Sequence, residues 1–511
     1  MSGSTISGVA DLVEQALAVY GDDAAAVAAL DGYARRLAEP LRIAVAGMVK
    51  AGKSTLLNAI LGEEIAPTDT GESTRIVTWY RYGHTPRITL YPLQGEPRTL
   101  PLKRVDGRLV FALGAMRAED VDRLVVDWPS PGLRDATLID TPGIASLSQD
   151  LSARSASFLA PADTPSQADA IIYLMRHLHA SDLRFLESFR DTEAGRSGTV
   201  NAVAVLSRAD EIGAGRIDSL LSAGDIAERY RRDHSLRKLA LGVVPVAGLL
   251  AQSARSMRQS DFSALCLLAE LDRAGRERML LSADRFLRAG EPRALTREAR
   301  ASLLERFGLF GIRLGVVLIR GGIREPTALA HDLARRSGLD ELLDLVGRQF
   351  LSRATALKAR TVLVGVEALL QARPRAGSSE LAASLERLQA NAHEFRELRL
   401  LATLRTTGVS LSAGLAEEAE RLVGGWGTGP QDRLGLAADA SWDHVGAEAR
   451  RCLNRWRVVA ENPLTDRPGT EVCRVVIRSC EGILSESSRF QLNVQGEARL
   501  GWNAETAASG L

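Results

Sequence analysis

The stretch LRIAVAGMVKAGKSTLLNAIL, residues 41–61, decides the fold of this chain. LRIAVAG is a continuous apolar run that ends in glycine, as a buried strand does, and STLLNAIL has the character of a helix. Between them, GMVKAGKST at 47–55 fits the pattern G-x-x-x-x-G-K-[ST], which needs a strand before it and a helix after it. The stretch therefore predicts an α/β domain with a phosphate-binding loop.

The chemistry of such a loop assigns tasks to its residues. Its glycines let backbone N–H groups face the phosphates, Lys53 neutralises the β and γ oxygens, and Ser54 ligates Mg²⁺. The helix N-terminus adds a partial positive charge. The alternative, a glycine turn with an unrelated lysine, is weaker given the match and its context. The predicted nucleotide contacts in the loop are Gly47, Val49, Lys50, Ala51, Gly52, Lys53, Ser54 and Thr55.

Two later strand ends carry carboxylates. LIDTPG at 138–143 ends a strand with Asp140, where a phosphate-loop enzyme needs a carboxylate to hold the water shell of Mg²⁺. VAVLSRAD at 203–210 ends a strand with Asp210, which is placed to accept hydrogen bonds from guanine N1 and the guanine amino group. Alone, DTPG is an ordinary turn and SRAD an ordinary cap or ion pair. Their order after the phosphate loop favours a guanine nucleotide.

The SRAD segment resembles the [NT]-K-x-D motif of GTPases, with Ser207 and Arg208 in its first two places. The flat guanidinium of arginine can stack on the base as a lysine stem does. Between the first two motifs, PTDTGESTRIVTWYRYG resembles the first switch of dynamins, in which a threonine followed by arginine reaches Mg²⁺ and the attacking water. Thr74 is the predicted switch threonine, and its competitors are Thr68, Thr70 and Thr78.

The pattern of the whole chain predicts an α/β region followed by an all-α region. Buried-strand patterns occur at 75–82, 87–93, 123–128, 136–140, 170–175, 200–207 and 242–248. Most alternate with helical patterns, which indicates a mostly parallel sheet. Two helical patterns precede the first strand, and helical periodicity dominates after about residue 250. We expect N-terminal helices at 1–40 that pack on the helical domain, a GTPase domain at 41–345 and an elongated helical bundle, a neck or stalk, at 346–511.

Together these motifs and this layout resemble the bacterial dynamin-like proteins. VKAGKSTLLNAILG, LSRADEIG and VVPVAGLLAQ most suggest the isoniazid-inducible dynamin-like proteins of mycobacteria and related actinobacteria, and the shorter of their two types. Members bind and remodel membranes through nucleotide-dependent contacts between GTPase domains. The resemblance implies GTP hydrolysis with Mg²⁺, self-association through GTPase domains, and anionic lipid and a related paralogue as partners. It also adds Gly143, Ala247 and Gly248 to the nucleotide site.

Two positions depart from the dynamin pattern. Dynamins usually have a serine at the position of Lys50, where it helps to hold a monovalent cation between the β and γ phosphates. Lys50 could supply that charge directly, or it could be a solvated lysine at the shoulder of the loop. Val49 replaces a polar residue that orients water in dynamins, so a slow nucleotide-binding scaffold stays an alternative.

Charge and composition argue against an RNA-binding protein. The chain has 64 basic and 63 acidic residues, a formal net charge of +1, and 5% aromatic residues. A ribosome- or RNA-associated GTPase would want a basic face with aromatic platforms, so nucleic acid is not an expected partner. An ATP-driven protein is disfavoured by SRAD. Because the N-terminus lacks a signal sequence and no spanning segment is found, we expect a cytoplasmic protein. The resemblance to dynamin-like proteins implies peripheral binding at the inner face of the plasma membrane.

Two surface segments are candidates for contacts. VGGWGTGPQDRLGL at 423–436 is glycine-rich enough to be mobile and presents Val423, Trp426 and Leu434 beside Arg421 and Arg433. It is the predicted membrane-binding loop, and the alternative is that Trp426 packs back on the bundle. In LMRHLHASD at 174–182, His177, His179 and Asp182 could bridge two GTPase domains, or Asp182 could cap the next helix.

Overall fold

The structure is a computed structural model that describes residues 2–67, 76–105, 108–111, 113, 116–142, 166–189, 200–288 and 293–508. The chain divides into two compact units. One unit contains the segments 1–37 and 347–511, and the other contains 38–189 and 201–346. The first and last parts of the sequence therefore fold together.

The α/β unit is built on a sheet that contains nine strands in the described part of the chain. Its order is β11-β10-β9-β1-β8-β2-β7-β3-β4, and β5 and β6 form a separate hairpin. The strands are β1 (Leu41–Gly47), β2 (Val77–Tyr82), β3 (Arg87–Pro92), β4 (Arg98–Leu100), β5 (Lys103–Val105), β6 (Arg108–Val110), β7 (Val121–Trp128), β8 (Ala136–Asp140), β9 (Ala170–Met175), β10 (Ala202–Ser207) and β11 (Val243–Val246).

The predicted mostly parallel sheet is confirmed. Strand β1 lies between β8 and β9, and all three run parallel, as do β9, β10 and β11. Strands β9 and β10 are buried along their whole length, which explains their continuous apolar sequences. Beyond β8 the direction changes, because β2 is antiparallel to β8 and β3 is antiparallel to β7. The three-residue strands β4, β5 and β6 were not predicted, since so short a segment shows no periodicity.

Helices of the α/β unit follow the strands. Helix α3 begins directly after the phosphate loop, and α7 begins after β11 at Gly248. The helices from α3 to α12 are α3 (Lys53–Leu61), α4 (Ala180–Ser188), α5 (Ser219–Arg231), α6 (His234–Arg237), α7 (Gly248–Arg255), α8 (Gln259–Glu270), α9 (Arg273–Met279), α10 (Ala283–Arg288), α11 (Arg297–Arg320) and α12 (Pro326–Arg336). Before them come α1 (Ser2–Tyr20) and α2 (Ala24–Ala38).

The helical unit joins the N-terminal helices to the second half of the chain. The Tyr20 hydroxyl at the end of α1 donates a hydrogen bond of 2.7 Å to the Arg373 carbonyl. Helix α13 (Leu339–Gln349) comes first in this half of the chain. The helices that follow it are α14 (Ala354–Ala372), α15 (Ser378–Asn391), α16 (His393–Thr406), α17 (Ala413–Leu422), α18 (Pro430–Leu434), α19 (Trp442–Glu461) and α20 (Arg467–Ala508). The predicted helical region after the sheet is confirmed.

Candidate functional site

The phosphate loop starts where β1 ends beside β9. Gly47 pairs with Leu174 and has a φ of +151°. A Cβ atom at Gly47 would lie 2.4 Å from the Leu174 carbonyl oxygen, so only glycine fits there. Gly52, with a φ of +95°, turns the chain into α3. The fold therefore requires glycine at the first position of the motif and favours it at the sixth.

Lys53, the first residue of α3, is turned inward. Its side chain is buried, and Nζ donates a hydrogen bond of 3.3 Å to the carbonyl oxygen of Gly47. Burial lowers the pKa of Lys53, and the negative charge of Asp140 opposes that effect. Lys50 and Val49 differ from it, because both are exposed at the shoulder of the loop. Lys50 also has a φ of +62°, a conformation that non-glycine residues seldom adopt.

Ser54 and Asp140 form a contact between α3 and the end of β8. The Ser54 Oγ donates a hydrogen bond of 3.1 Å to Oδ2 of Asp140. Burial raises the pKa of Asp140 to about 6, although Lys53 and Ser54 act to lower it. The second carboxylate oxygen, Oδ1, is buried and has no hydrogen-bond partner in the described part of the chain. A hydroxyl beside an unsatisfied carboxylate is a set of oxygen donors that suits Mg²⁺.

A cavity of about 210 Å³ extends from the phosphate loop to the ends of β10 and β11. Asp210 lies in its wall and is 9% exposed, and burial raises the pKa of its carboxyl. Ser207 donates a hydrogen bond of 3.2 Å to the Met175 carbonyl, so its hydroxyl joins β10 to β9. The lining residues are Ala51, Gly52, Thr55, Leu56, Leu174, Val205, Ser207, Arg208, Asp210, Glu211, Val246, Gly248 and Leu249.

Arg208 is held in an unusual backbone conformation at the mouth of this cavity. Its φ is +53° and its ψ is +43°, the left-handed region. Its guanidinium donates a hydrogen bond of 2.6 Å to Glu211, which also pairs with Arg176 at 2.7 Å. These contacts hold the guanidinium of Arg208 in the cavity wall, where a flat cation can lie against a flat base.

Comparisons with known proteins agree with this geometry. Residues 43–203 match the model of the dynamin family. The isoniazid-induced protein IniC of Mycobacterium tuberculosis is 43% identical over 459 residues, which cover 90% of this chain and 93% of IniC. This chain belongs to the dynamin family. It is accordingly a dynamin-like GTPase, a hydrolase that acts on GTP.

More distant relatives of this dynamin-family GTPase match over shorter parts. The isoniazid-induced protein IniA of Mycobacterium tuberculosis is 33% identical over 122 residues, 22% of this chain and 19% of IniA. The bacterial dynamin-like protein of Nostoc punctiforme is 28% identical over 212 residues, 39% of this chain and 28% of that protein. The likeness is therefore to IniC along most of the chain, and to the other two only in part.

The fold of the GTPase brings most of the predicted site residues together, but not all. Thr74, Gly143, Thr68 and Thr70 lie outside the described residues. Thr78 lies inside β2, and its hydroxyl donates to the carbonyl of Ile76 at 3.3 Å. Ala247 is fully buried, and its N–H donates a hydrogen bond of 2.8 Å to the Ser337 carbonyl, whereas Gly248 lines the cavity.

Several residues at this site were not predicted from the motifs, among them Glu211, Leu249 and Tyr80. Leu249 and Glu211 line the cavity, and each directly follows a predicted residue, Gly248 and Asp210. Tyr80 is fully buried in β2, and its pKa is raised far above the usual value by burial and by the charge of Asp140. The segment TWYRY shows only a strand pattern, so the position of Tyr80 relative to β8 needed the sheet register.

The prediction that the candidate membrane-binding segment presents Val423 and Leu434 at the surface is wrong. Val423 and Leu434 are buried. Buried Arg353 donates to the carbonyls of Val423 and Gly424 at 3.2 and 2.6 Å. Arg433 donates to Glu397 through its Nη2 at 3.0 Å. Of the predicted apolar contacts, only Trp426 is exposed, at 51%, with the Arg421 guanidinium 6.0 Å from its ring.

The histidine segment has a local structural role. Asp182 is buried, accepts a hydrogen bond of 2.9 Å from the His179 N–H, and so caps α4 as the alternative interpretation predicts. His177 and His179 are exposed, with ring centroids 6.2 Å apart. Among the described residues, no three His, Cys, Asp or Glu side chains cluster closely enough to hold a metal. None of the helices formed by the described residues is long and apolar enough to cross a membrane.

Proposed function

We propose that this GTPase binds Mg²⁺-GTP with its phosphates on residues 47–55 and its guanine in the cavity beside Asp210. One observation carries this assignment: the phosphate loop and SRAD line the same cavity. Lys53 neutralises the β and γ oxygens, Ser54 and Asp140 hold the Mg²⁺, and Asp210 accepts the two guanine donors. When bound, Mg²⁺ offsets the negative charge of the phosphates. Thr74 is the proposed switch residue that completes this set.

Competition between nucleotides tests the assignment. A fluorescent GTP analogue bound to the full chain should be displaced by GTP and only poorly by ATP, because adenine lacks the two donors that Asp210 accepts. Displacement by both nucleotides at equal concentrations would contradict the guanine site. Binding without hydrolysis, alone or with added lipid, would instead favour the slow nucleotide scaffold that the exposed Val49 suggests.

Lys50 is proposed to act as an internal cation in place of the monovalent ion of other dynamins. It is exposed on the loop shoulder, and its positive φ turns the chain sharply between Val49 and Ala51. A well-placed positive charge contributes about 10³–10⁵ in rate in related enzymes. Lys50→Ser should make GTP hydrolysis depend on potassium or sodium. The same turnover in every monovalent salt, for both wild type and variant, would refute this role.

We further propose peripheral association with anionic membrane at the cytoplasmic face, and membrane remodelling through contacts between GTPase domains. The assignment to the dynamin family and the likeness to IniC support this proposal. A paralogue of the IniA kind is the proposed second partner. The proposed domains are 1–40 with 346–511 as the helical part and 41–345 as the GTPase part. GTP hydrolysis that does not change with anionic liposomes or with protein concentration would contradict the membrane and self-association proposals.

A further inference from the structure

Two polar atoms are buried without a hydrogen-bond partner on one face of the sheet beside the phosphate loop. They are the hydroxyl oxygen of Tyr80 and Oδ1 of Asp140. Neither atom has a hydrogen-bond partner among the residues that the structure describes. Tyr80 is 0% exposed. Leaving one such group unsatisfied costs about 1–3 kcal/mol, so two together at one place need a physical explanation.

The register of β2 and β8 puts these two side chains within reach of each other. Thr78 lies opposite Asp140, and Tyr80 lies opposite Leu138. Residues two apart on a strand share a face, so Tyr80 and Asp140 are diagonal neighbours on the face that carries Ser54 and Lys53. Diagonal neighbours lie about 7–8 Å apart, a distance that an aromatic side chain spans. Thr78 does not compete for Asp140, since its hydroxyl donates to Ile76.

We propose that Tyr80 is a positioning residue for the Mg²⁺ site: its hydroxyl, through one bridging water, holds the Asp140 carboxylate so that Oδ2 faces Ser54. The inference rests on the proposed magnesium site. No direct hydrogen bond joins Tyr80 to Asp140, and a buried water with polar groups on both sides is the usual link across such a gap. A phenol hydroxyl can donate one hydrogen bond to such a water, and the water can donate in turn to the carboxylate oxygen.

The consequence concerns how tightly the site holds its metal. Ser54 restrains one oxygen of the Asp140 carboxylate, and a group that meets the other oxygen limits rotation of the carboxylate further. Groups that orient a metal-binding side chain typically change metal affinity about 10–100-fold when they are removed. The Tyr80 hydroxyl should therefore tune the response to Mg²⁺ without contacting the nucleotide.

Tyr80→Phe in the full chain tests the inference, since it removes a single oxygen atom and leaves the ring. The measurement is the binding of a fluorescent GTP analogue as free Mg²⁺ is titrated. We expect the half-saturating Mg²⁺ concentration to rise about 10-fold or more, while nucleotide affinity in excess chelator stays unchanged. Tyr173→Phe is the matched control: Tyr173 is a buried tyrosine of β9 whose hydroxyl donates to Asp182 at 2.7 Å. It should lower stability and leave the Mg²⁺ titration unchanged.

The outcomes separate the inference from the magnesium site itself. Superimposable Mg²⁺ titrations for wild type and Tyr80→Phe would overturn the role of Tyr80 and leave the site standing. Wild-type binding that ignores Mg²⁺ would overturn both. Adding Tyr80→Phe to Asp140→Asn gives a second test, because the hydroxyl acts only through that carboxylate. A further loss of Mg²⁺ response in the double variant, at equal melting temperature, would also overturn the inference.

Discussion

Two glycine-containing segments of this GTPase, 47–55 and 423–436, differ in what fills the space around their backbone. In the first segment, small residues line a cavity, and the side chain of Lys53 is buried. The second is closed around buried arginines, and its carbonyls accept their hydrogen bonds. A Cβ at Gly424 would lie 2.5 Å from Nη2 of Arg353, so that glycine makes room for a side chain. Glycine leaves space beside the backbone in both segments. Whether that space becomes a ligand site or a rigid turn depends on the groups that fill it.

Among the changes in the first segment, removal of Lys53 should reduce GTP hydrolysis the most. Lys53→Ala takes away the buried charge at the phosphate loop, and we expect GTP hydrolysis to fall by about 10³-fold or more. The assay is phosphate release at saturating GTP. Lys103→Ala, at an exposed lysine of β5, is the matched control and should keep wild-type turnover. Retained activity in Lys53→Ala would break the assignment of the site.

Removing Arg433 should have the largest effect on the second segment. Arg433→Leu leaves the buried carboxylate of Glu397 without its cation, which should lower the free energy of unfolding by about 3–5 kcal/mol. Arg474→Leu, which breaks an exposed pair with Glu471, should change it by less than about 1 kcal/mol. Chemical denaturation of the two variants gives the comparison. Equal stabilities would show that the turn is not held by its buried charges.

The same ion pair predicts a dependence of stability on pH. Burial would raise the pKa of Glu397, but Arg433 and His393 outweigh it and lower it from 4.5 to about 2. Because the folded-state pKa is the lower one, the stabilisation is complete above pH 4.5 and is lost as pH falls towards 2. Denaturation at several pH values should show this loss in wild type. In Arg433→Leu the loss over that window should be smaller.

Asp210 should have an intermediate effect on the first segment. Asp210→Asn removes an acceptor from the guanine donors, and we expect the preference for GTP over ATP to fall by about 10²-fold. Competition for a fluorescent GTP analogue measures the ratio. Asp218→Asn, a change at a half-buried position of the same region whose carboxylate pairs with Arg216, is the control. Unchanged selectivity in Asp210→Asn would remove this residue from base recognition.

Trp426 should have the smallest effect. Because its side chain is half exposed, Trp426→Ala should change the free energy of unfolding by no more than about 1 kcal/mol. Leu434→Ala in the same segment should cost about 2–5 kcal/mol, since Leu434 is 3% exposed. Denaturant titrations of the two single variants sharpen the comparison. A large loss from Trp426→Ala would mean that this ring packs more tightly than its exposure indicates.

The sequence predicted the sheet well where strands are buried on both faces. Strands β8 and β9 have the predicted bounds, because their apolar runs coincide with the residues that pair in the sheet. The reversal between β8 and β2 could not be predicted, since strand direction leaves no trace in the pattern of a single strand. In the candidate site, Lys53, Ser54 and Asp140 were predicted from motif spacing, and the fold brings them together. Tyr80 was missed because its place depends on a partner 60 residues later in the chain.

The contact between Tyr20 and Arg373 has a consequence for synthesis on the ribosome. Helix α1 is translated before the helices that it packs on, because the carbonyl that its Tyr20 hydroxyl contacts lies 353 residues further along the chain. At about 5–20 residues per second, roughly 20–70 s of translation separate the two. During that time the apolar side of α1, with Leu12, Val13 and Ala16, has none of the later helices to pack on. An isolated helix of this length is only marginally stable, so α1 acquires its stable packing after the later helices have been made.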